Sequence, residues 1–185
     1  IEYKGEQDGK IALYDYEVKL NNCENVKTIY VTKQDGKIYQ MISDKKVEME
    51  NITIEEAKQK AINFINDLGI YDIEPTYYLK ADNMLTISFA ALQDDVVIYS
   101  DLIKVKVALD DGEIMTFEAN GYIYNHKERD INPVKTIEEA KEVLYSDLKI
   151  ENERLCIIPT DSKDEVLVYE FEGSVEDKKF LVYVN

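Results

Sequence analysis

The hexapeptide Thr53-Ile54-Glu55-Glu56-Ala57-Lys58 returns unchanged as Thr136-Ile137-Glu138-Glu139-Ala140-Lys141, a period of 136 − 53 = 83 residues. A repeat at fixed spacing sets the architecture before any single residue is interpreted, because each copy is a supersecondary unit that packs against its neighbours. A second echo accompanies the first. Gln34-Asp35-Gly36-Lys37 is answered by Asp110-Asp111-Gly112-Glu113, whose Asp-Gly pairs lie 111 − 35 = 76 residues apart. The chain reads as a tandem array.

Each copy has a physical logic. Thr53 with Glu56, and Thr136 with Glu139, form Thr-x-x-Glu capping boxes, in which the threonine hydroxyl accepts from the N3 amide and the glutamate accepts from the cap amide. After Thr53 the apolar residues Ile54, Ala57, Ala61, Phe64, Ile65 and Leu68 fall on one helix face, and Gly69 stands where a left-handed stop is wanted. The second copy predicts a matching helix on Ile137, Ala140, Val143, Leu144 and Leu148. Period-two alternation follows: Leu85, Ile87, Phe89 and Ala91 share one strand face, and Ile103, Val105, Val107 and Leu109 share the next. Asp111-Gly112 then supplies the positive φ of a tight turn into Ile114-Met115-Thr116-Phe117. The expected fold class is α+β, with one helix per unit on a small antiparallel sheet.

The turn at Asp111 follows Thr53 by 58 residues (111 − 53), and the same offset back from Asp35 falls before Ile1. The expected units are therefore a partial one of strands only over 1–49, a complete one over 50–130, and a C-terminally truncated one over 131–185. The first should hold strands at 11–20, 26–32 and 37–43. The last should end in the strand Phe180-Leu181-Val182-Tyr183-Val184. On this reading the chain is a fragment, and any anchor would lie upstream of it.

A Thr-x-Glu-Glu-Ala helix, a strand pair and a strand ending in an Asp-Gly turn resemble the PepSY domain. Three such units in tandem are similar to the C-terminal region of the YpeB family of spore germination proteins. The most specific stretch is Ser100-Asp101-Leu102-Ile103-Lys104-Val105-Lys106-Val107-Ala108-Leu109-Asp110-Asp111-Gly112-Glu113-Ile114, which continues into Phe117-Glu118-Ala119-Asn120-Gly121-Tyr122-Ile123-Tyr124-Asn125-His126. The resemblance implies a non-catalytic interaction module. It would stabilise or restrain a cortex-lytic hydrolase of the SleB kind until germination, on the extracytoplasmic face of the spore inner membrane. The alternatives are a peptidoglycan-binding accessory, a carboxylate-based hydrolase, or a propeptide-like peptidase inhibitor.

Composition sets other bounds. Near-average apolar content with clear periodicity argues for order. A net charge of −16 with no basic stripe argues against nucleic acid and against adhesion to anionic lipid. No segment approaches the ~20 apolar residues of a transmembrane helix, so membrane attachment would need the missing N-terminal anchor. Cys23 and Cys156 fall in different units; a bridge between them would require the first and third units to touch, and free thiols are the expectation.

The single histidine, His126, leaves little for metal or triad chemistry, which need convergent partners. No GxSxG elbow, HExxH helix, phosphate-cradling loop or Asp-x-Asp-x-Asp-Gly calcium loop occurs. Of the adjacent acids, Asp94-Asp95 and Asp110-Asp111 would face opposite ways on a strand, and Glu138-Glu139 suit a helix first turn. No catalytic residue, metal or cofactor is expected. The one segment singled out is Gly121, Tyr122, Tyr124, Asn125 and His126, read as an inter-unit junction or a partner-docking patch. There Gly121 allows a close backbone approach, a tyrosine buries its ring, and Asn125 and His126 bond backbone.

Overall fold

The computed structural model describes all residues except 20–24 and 163. The described residues form eleven strands and three helices. The strands are β1 (Glu2–Gln7), β2 (Leu13–Lys19), β3 (Val26–Thr32), β4 (Ile38–Ser43), β5 (Ile73–Ala81), β6 (Met84–Gln93), β7 (Val96–Ala108), β8 (Ile114–Glu118), β9 (Lys149–Pro159), β10 (Glu165–Val175) and β11 (Lys178–Val184). The helices are α1 (Ile54–Asp67), α2 (Asn120–Asn125) and α3 (Ile137–Lys141). The protein is mostly β-sheet with few helices.

All strands join one sheet in the order β1-β2-β3-β4-β8-β7-β9-β10-β11, while β6 and then β5 lie along the other edge of β7. Hairpin ladders are long: β6 and β7 share ten residue pairs. The ladders that link successive groups of strands are short. β4 meets β8 over Gln40↔Glu118, Met41↔Phe117 and Ile42↔Thr116. β7 meets β9 in parallel over only Val97↔Cys156 and Ile98↔Ile157.

α1 packs on the central strands through Ala57, Ala61 and Ile65, all fully buried. Their spacing of four places them on one face, and the small alanines let the helix sit close to the sheet. Beneath it lie Leu85, Ile87, Phe89, Ile103, Val105 and Val107, and Phe64 meets Phe117 edge-to-face at 5.5 Å. Each such burial contributes about 1.5–3 kcal/mol. The alternate residues Thr86, Ser88, Lys104 and Lys106 form the opposite face of the same strands. Farther along, Val96-Val97-Ile98 is buried on both faces, with Ala90, Cys156 and Val168 on one side and Ala91 and Ile157 on the other. A continuous apolar run suits this parallel joint.

The local signals act as read. Both capping boxes form: Thr53 Oγ1 accepts from Glu56 N at 3.2 Å, and Thr136 Oγ1 from Glu139 N at 3.2 Å. Both Asp-Gly turns place glycine in the left-handed region, with φ of 71° at Gly36 and 80° at Gly112. Two expectations need correction. β1 precedes the first expected strand; it is a polar edge strand, bulged at Gly5, with no apolar alternation to reveal it. α3 has five residues where α1 has fourteen. Thr53 stands 20 residues before Ile73, but Thr136 only 13 before Lys149, so the chain lacks about two turns of helix there (73 − 53 against 149 − 136). Val143, Leu144 and Leu148 therefore belong to a turn segment, with Leu144 N donating to Lys141 O and Leu148 N to Tyr145 O. The stretch around Gly121 is helical.

Candidate functional site

β7 carries the irregularity around which the site is built. Ala91 pairs with Ile98, but the next β6 residue, Ala90, pairs with Leu102, so Tyr99, Ser100 and Asp101 bulge out of the ladder. A bulge re-aims side chains and frees backbone groups. Here Asp101 turns inward and is fully buried, while the Ser100 carbonyl accepts from Asn125 Nδ2 at 2.8 Å.

α2 lies across this bulge, and Gly121 allows it to. A Cβ on Gly121 would stand 2.9 Å from the Leu102 carbonyl oxygen, closer than real Cβ atoms come, and 3.2 Å from the Leu102 nitrogen. The close approach occurs between α2 and β7. At the end of α2, His126 bonds a side chain: its Nδ1 lies 2.9 Å from Asp101 Oδ2, and its ring stacks on Tyr122 at 4.3 Å. Tyr124 points the other way, edge-to-face with Tyr39 at 6.2 Å and with Lys10 Nζ 4.5 Å from its ring centre.

Arg129 closes the cluster. Its Nη1 and Nη2 donate to Asp101 Oδ2 and Oδ1 at 2.9 and 2.7 Å, and its Nε donates to Glu165 at 3.0 Å. Gln93 fixes the Arg129 backbone from both sides, accepting from its N at 3.0 Å and donating to its O at 2.8 Å. Ser100 Oγ also bonds Glu165. Arg129, with help from Ser100, holds the Glu165 carboxyl down at about 2. Burial works against the Arg129 charge, but the bonds to Glu165 and Asp101 outweigh it and raise its pKa. One guanidinium therefore ties the β7 bulge, the end of α2 and the start of β10 together. A rigid fork of donors grips one carboxylate through two nitrogens while it reaches a second, a fixed geometry that a lysine's single ammonium does not supply.

A second, partly buried arginine joins β9 to the central strands. Arg154 donates from Nε to Glu170 at 2.6 Å and from Nη2 to the Tyr99 hydroxyl at 2.5 Å, and it also pairs with Glu74. Burial raises the Tyr99 phenol above its ordinary range. Cys156, next to this cluster, is buried and its thiol is pushed up to about 12. The bridge weighed between Cys23 and Cys156 falls on residue 23, outside the described residues.

Two clefts flank α2. One of about 870 Å³ runs past Tyr71, Asp72, Asp95, His126 and Glu128; the other, of about 550 Å³, is lined by Lys10, Lys33, Lys37 and Tyr124. Tyr122 and His126 stand in the walls of both. Among the described residues, no three His, Cys, Asp or Glu side chains converge as metal ligands would.

Asp101, Arg129, Glu165 and Ser100 were given no role from sequence. A signal for the bulge was present: Ser100-Asp101 interrupts the apolar run of β7 with two consecutive polar residues. Nothing local pointed to Arg129 or Glu165.

The comparisons with known proteins bear on this arrangement. A family model described as "YpeB sporulation, PepSY1 and PepSY2 domains" matches residues 2–132. The chain is 32% identical over 173 residues to a sporulation protein YpeB of Halalkalibacterium halodurans, and 29% identical over 175 residues to one of Bacillus subtilis. In both cases 92% of this chain is covered. The structure matches the Bacillus megaterium YpeB C-terminal domain with a TM-score of 0.88 and 28% identity, over 100% of this chain and 82% of that one. This chain belongs to the YpeB sporulation family and corresponds to its C-terminal PepSY region. It spans 39% of the length of the two curated relatives. No helix among the described residues is long and apolar enough to cross a membrane.

Proposed function

We propose that this chain is the interaction part of a spore germination protein, built from PepSY-like units in tandem. Each unit is a helix followed by strands, over 1–49, 50–130 and 131–185, with the first and last incomplete. The array binds a cortex-lytic hydrolase of the SleB kind and stabilises or restrains it until germination. It does so without chemistry of its own, on the extracytoplasmic face of the spore inner membrane, held there by parts of the protein outside these residues. Exposed edge strands and the clefts beside α2 are the surfaces such a partner would use.

The observation that carries this reading is the family match over residues 2–132. The geometry agrees with it. The buried acids are committed to arginines, Asp101 to Arg129 and Glu170 to Arg154, and the partly buried Glu165 carboxyl, held at about 2, stays ionised near neutrality, unlike a general acid poised for proton transfer. Their role on this reading is to hold strands and helices in fixed relation.

The test is reconstitution. The purified chain, added to a cortex hydrolase acting on isolated spore cortex, is expected to bind it and slow its release of muropeptides. Muropeptide release by the chain alone would replace this reading with a hydrolytic one. Absence of any complex by cross-linking in dormant spores would remove the partner.

A further inference from the structure

We infer that Asn120-Gly121 is a self-modification site, where the asparagine deamidates through a succinimide and the isoaspartate product releases α2 from the β7 bulge. Asn120 is the only asparagine of the chain that is followed by glycine. With no side chain at 121, nothing screens the amide nitrogen from the preceding carboxamide. The structure brings the two reacting groups together. Gly121 N donates to Asn120 Oδ1 at 2.9 Å, because an amide in a helix first turn has no helical acceptor. Asn120 is exposed to water, and its Nδ2 has no hydrogen-bond partner among the described residues. The start of α2 is also unsecured: its cap is Ala119, which makes no side-chain bond to the helix. An uncapped first turn opens at low cost, and that opening gives the backbone the freedom that ring closure requires.

The reaction needs only water. Gly121 N loses its proton to solvent base and attacks Asn120 Cγ, forming the N–Cγ bond. The Cγ–Nδ2 bond breaks, and Nδ2 takes up a proton and leaves as ammonia. Water then opens the ring at one of its two carbonyls. Addition at Cγ breaks the new N–Cγ bond and gives aspartate. Addition at the main-chain carbonyl breaks the original peptide bond and gives isoaspartate, with the chain now running through Cβ and Cγ. The two products differ in consequence. Aspartate keeps the backbone, and its charge in the first turn suits the helix dipole. Isoaspartate lengthens the main chain by one carbon directly before Gly121, which lies against the Leu102 carbonyl with no room for an added atom. A contact packed that closely does not absorb the inserted carbon. Asn125 and His126, which bond Ser100 O and Asp101 at 2.8 and 2.9 Å, are then carried away from β7.

Incubation of the folded protein in heavy-oxygen water at pH 8, followed by peptide mapping, tests the assignment. Heavy oxygen should enter at residue 120, as aspartate and isoaspartate, before Asn66 of α1 is converted. Asn120→Gln should lose the signal, because its longer side chain closes a less favoured, larger ring. Protected amides in α1 and β6 show that this variant is folded. In the isoaspartate form, the amides of Ile123 and His126, bonded within α2, should exchange with deuterium at least about tenfold faster than in the unaged protein. Conversion at residue 120 that waits for urea overturns the proposal, as does conversion of Asn66 at the same pace. Unchanged α2 exchange in the isoaspartate form overturns the release of the helix.

Discussion

Arg129 grips Asp101 through both terminal nitrogens, at 2.9 and 2.7 Å, and neither side chain is more than 5% exposed. Removing one partner of such a pair leaves a charge stranded away from water, which costs about 3–5 kcal/mol. Arg129→Met should lose that much in urea unfolding. Arg129→Lys should fall between, because it keeps the charge and loses the fork. The double variant Arg129→Met/Asp101→Leu should recover most of the loss; if it is no better than Arg129→Met alone, the pair is not the source.

Acid should loosen the protein through Glu165. Its carboxyl sits at about 2 in the folded chain, against about 4.3 when unfolded. The contribution is complete above about pH 5. It is lost as pH falls toward 2, because the unfolded chain takes up the proton first. The full shift corresponds to about 3 kcal/mol, and partial solvent access (the side chain is 21% exposed) reduces this to roughly 1–2. Glu165→Gln should flatten that limb of the stability–pH curve; an unchanged limb would assign the acid lability elsewhere.

Gly121→Ala should cost about 1–3 kcal/mol by overpacking, since the atoms it meets belong to the Leu102 backbone and cannot swing aside. Gly9→Ala, whose added carbon would find only the Ile11 carbonyl at 3.6 Å, should stay within about 0.5 kcal/mol. Thermal unfolding of the two variants side by side reads the difference.

Cys156 should resist modification. In a Cys23→Ser background, Ellman's reagent at pH 8 should leave the folded protein unlabelled and react promptly in urea, because burial pushes the thiol up to about 12. Immediate labelling without denaturant would contradict the packing described around β9.

Much of this architecture could be read from residues close together in the chain. Thr53 and Glu56 cap a helix through bonds spanning three residues, and Asp111-Gly112 turns a hairpin through its own backbone. Alternation exposed the buried faces of β6 and β7 because Thr86, Ser88, Lys104 and Lys106 separate their apolar residues at every second position. Other features lay beyond such signals. β1 is held by its backbone ladder and by contacts of Tyr3 with Tyr14 and Tyr16 and of Lys4 with Glu17, and it offers no apolar alternation. The length of α3 depends on where β9 begins, which the repeated hexapeptide does not encode. Gly121, Tyr122, Asn125 and His126 drew attention by side-chain type, and they surround the β7 bulge. Their partners did not, because Arg129 lies 28 residues from Asp101 and 36 from Glu165. A surface arginine and a buried clasp look alike until the chain is folded.

The short ladders have a mechanical consequence. Two rungs between β7 and β9, and three between β4 and β8, stand beside a hairpin of ten. Drawn out by its ends in an optical trap, the molecule should lengthen in successive increments, shedding its terminal pieces before the centre tears. A single abrupt rupture would mean that the arginine clasps outweigh the seams they cross.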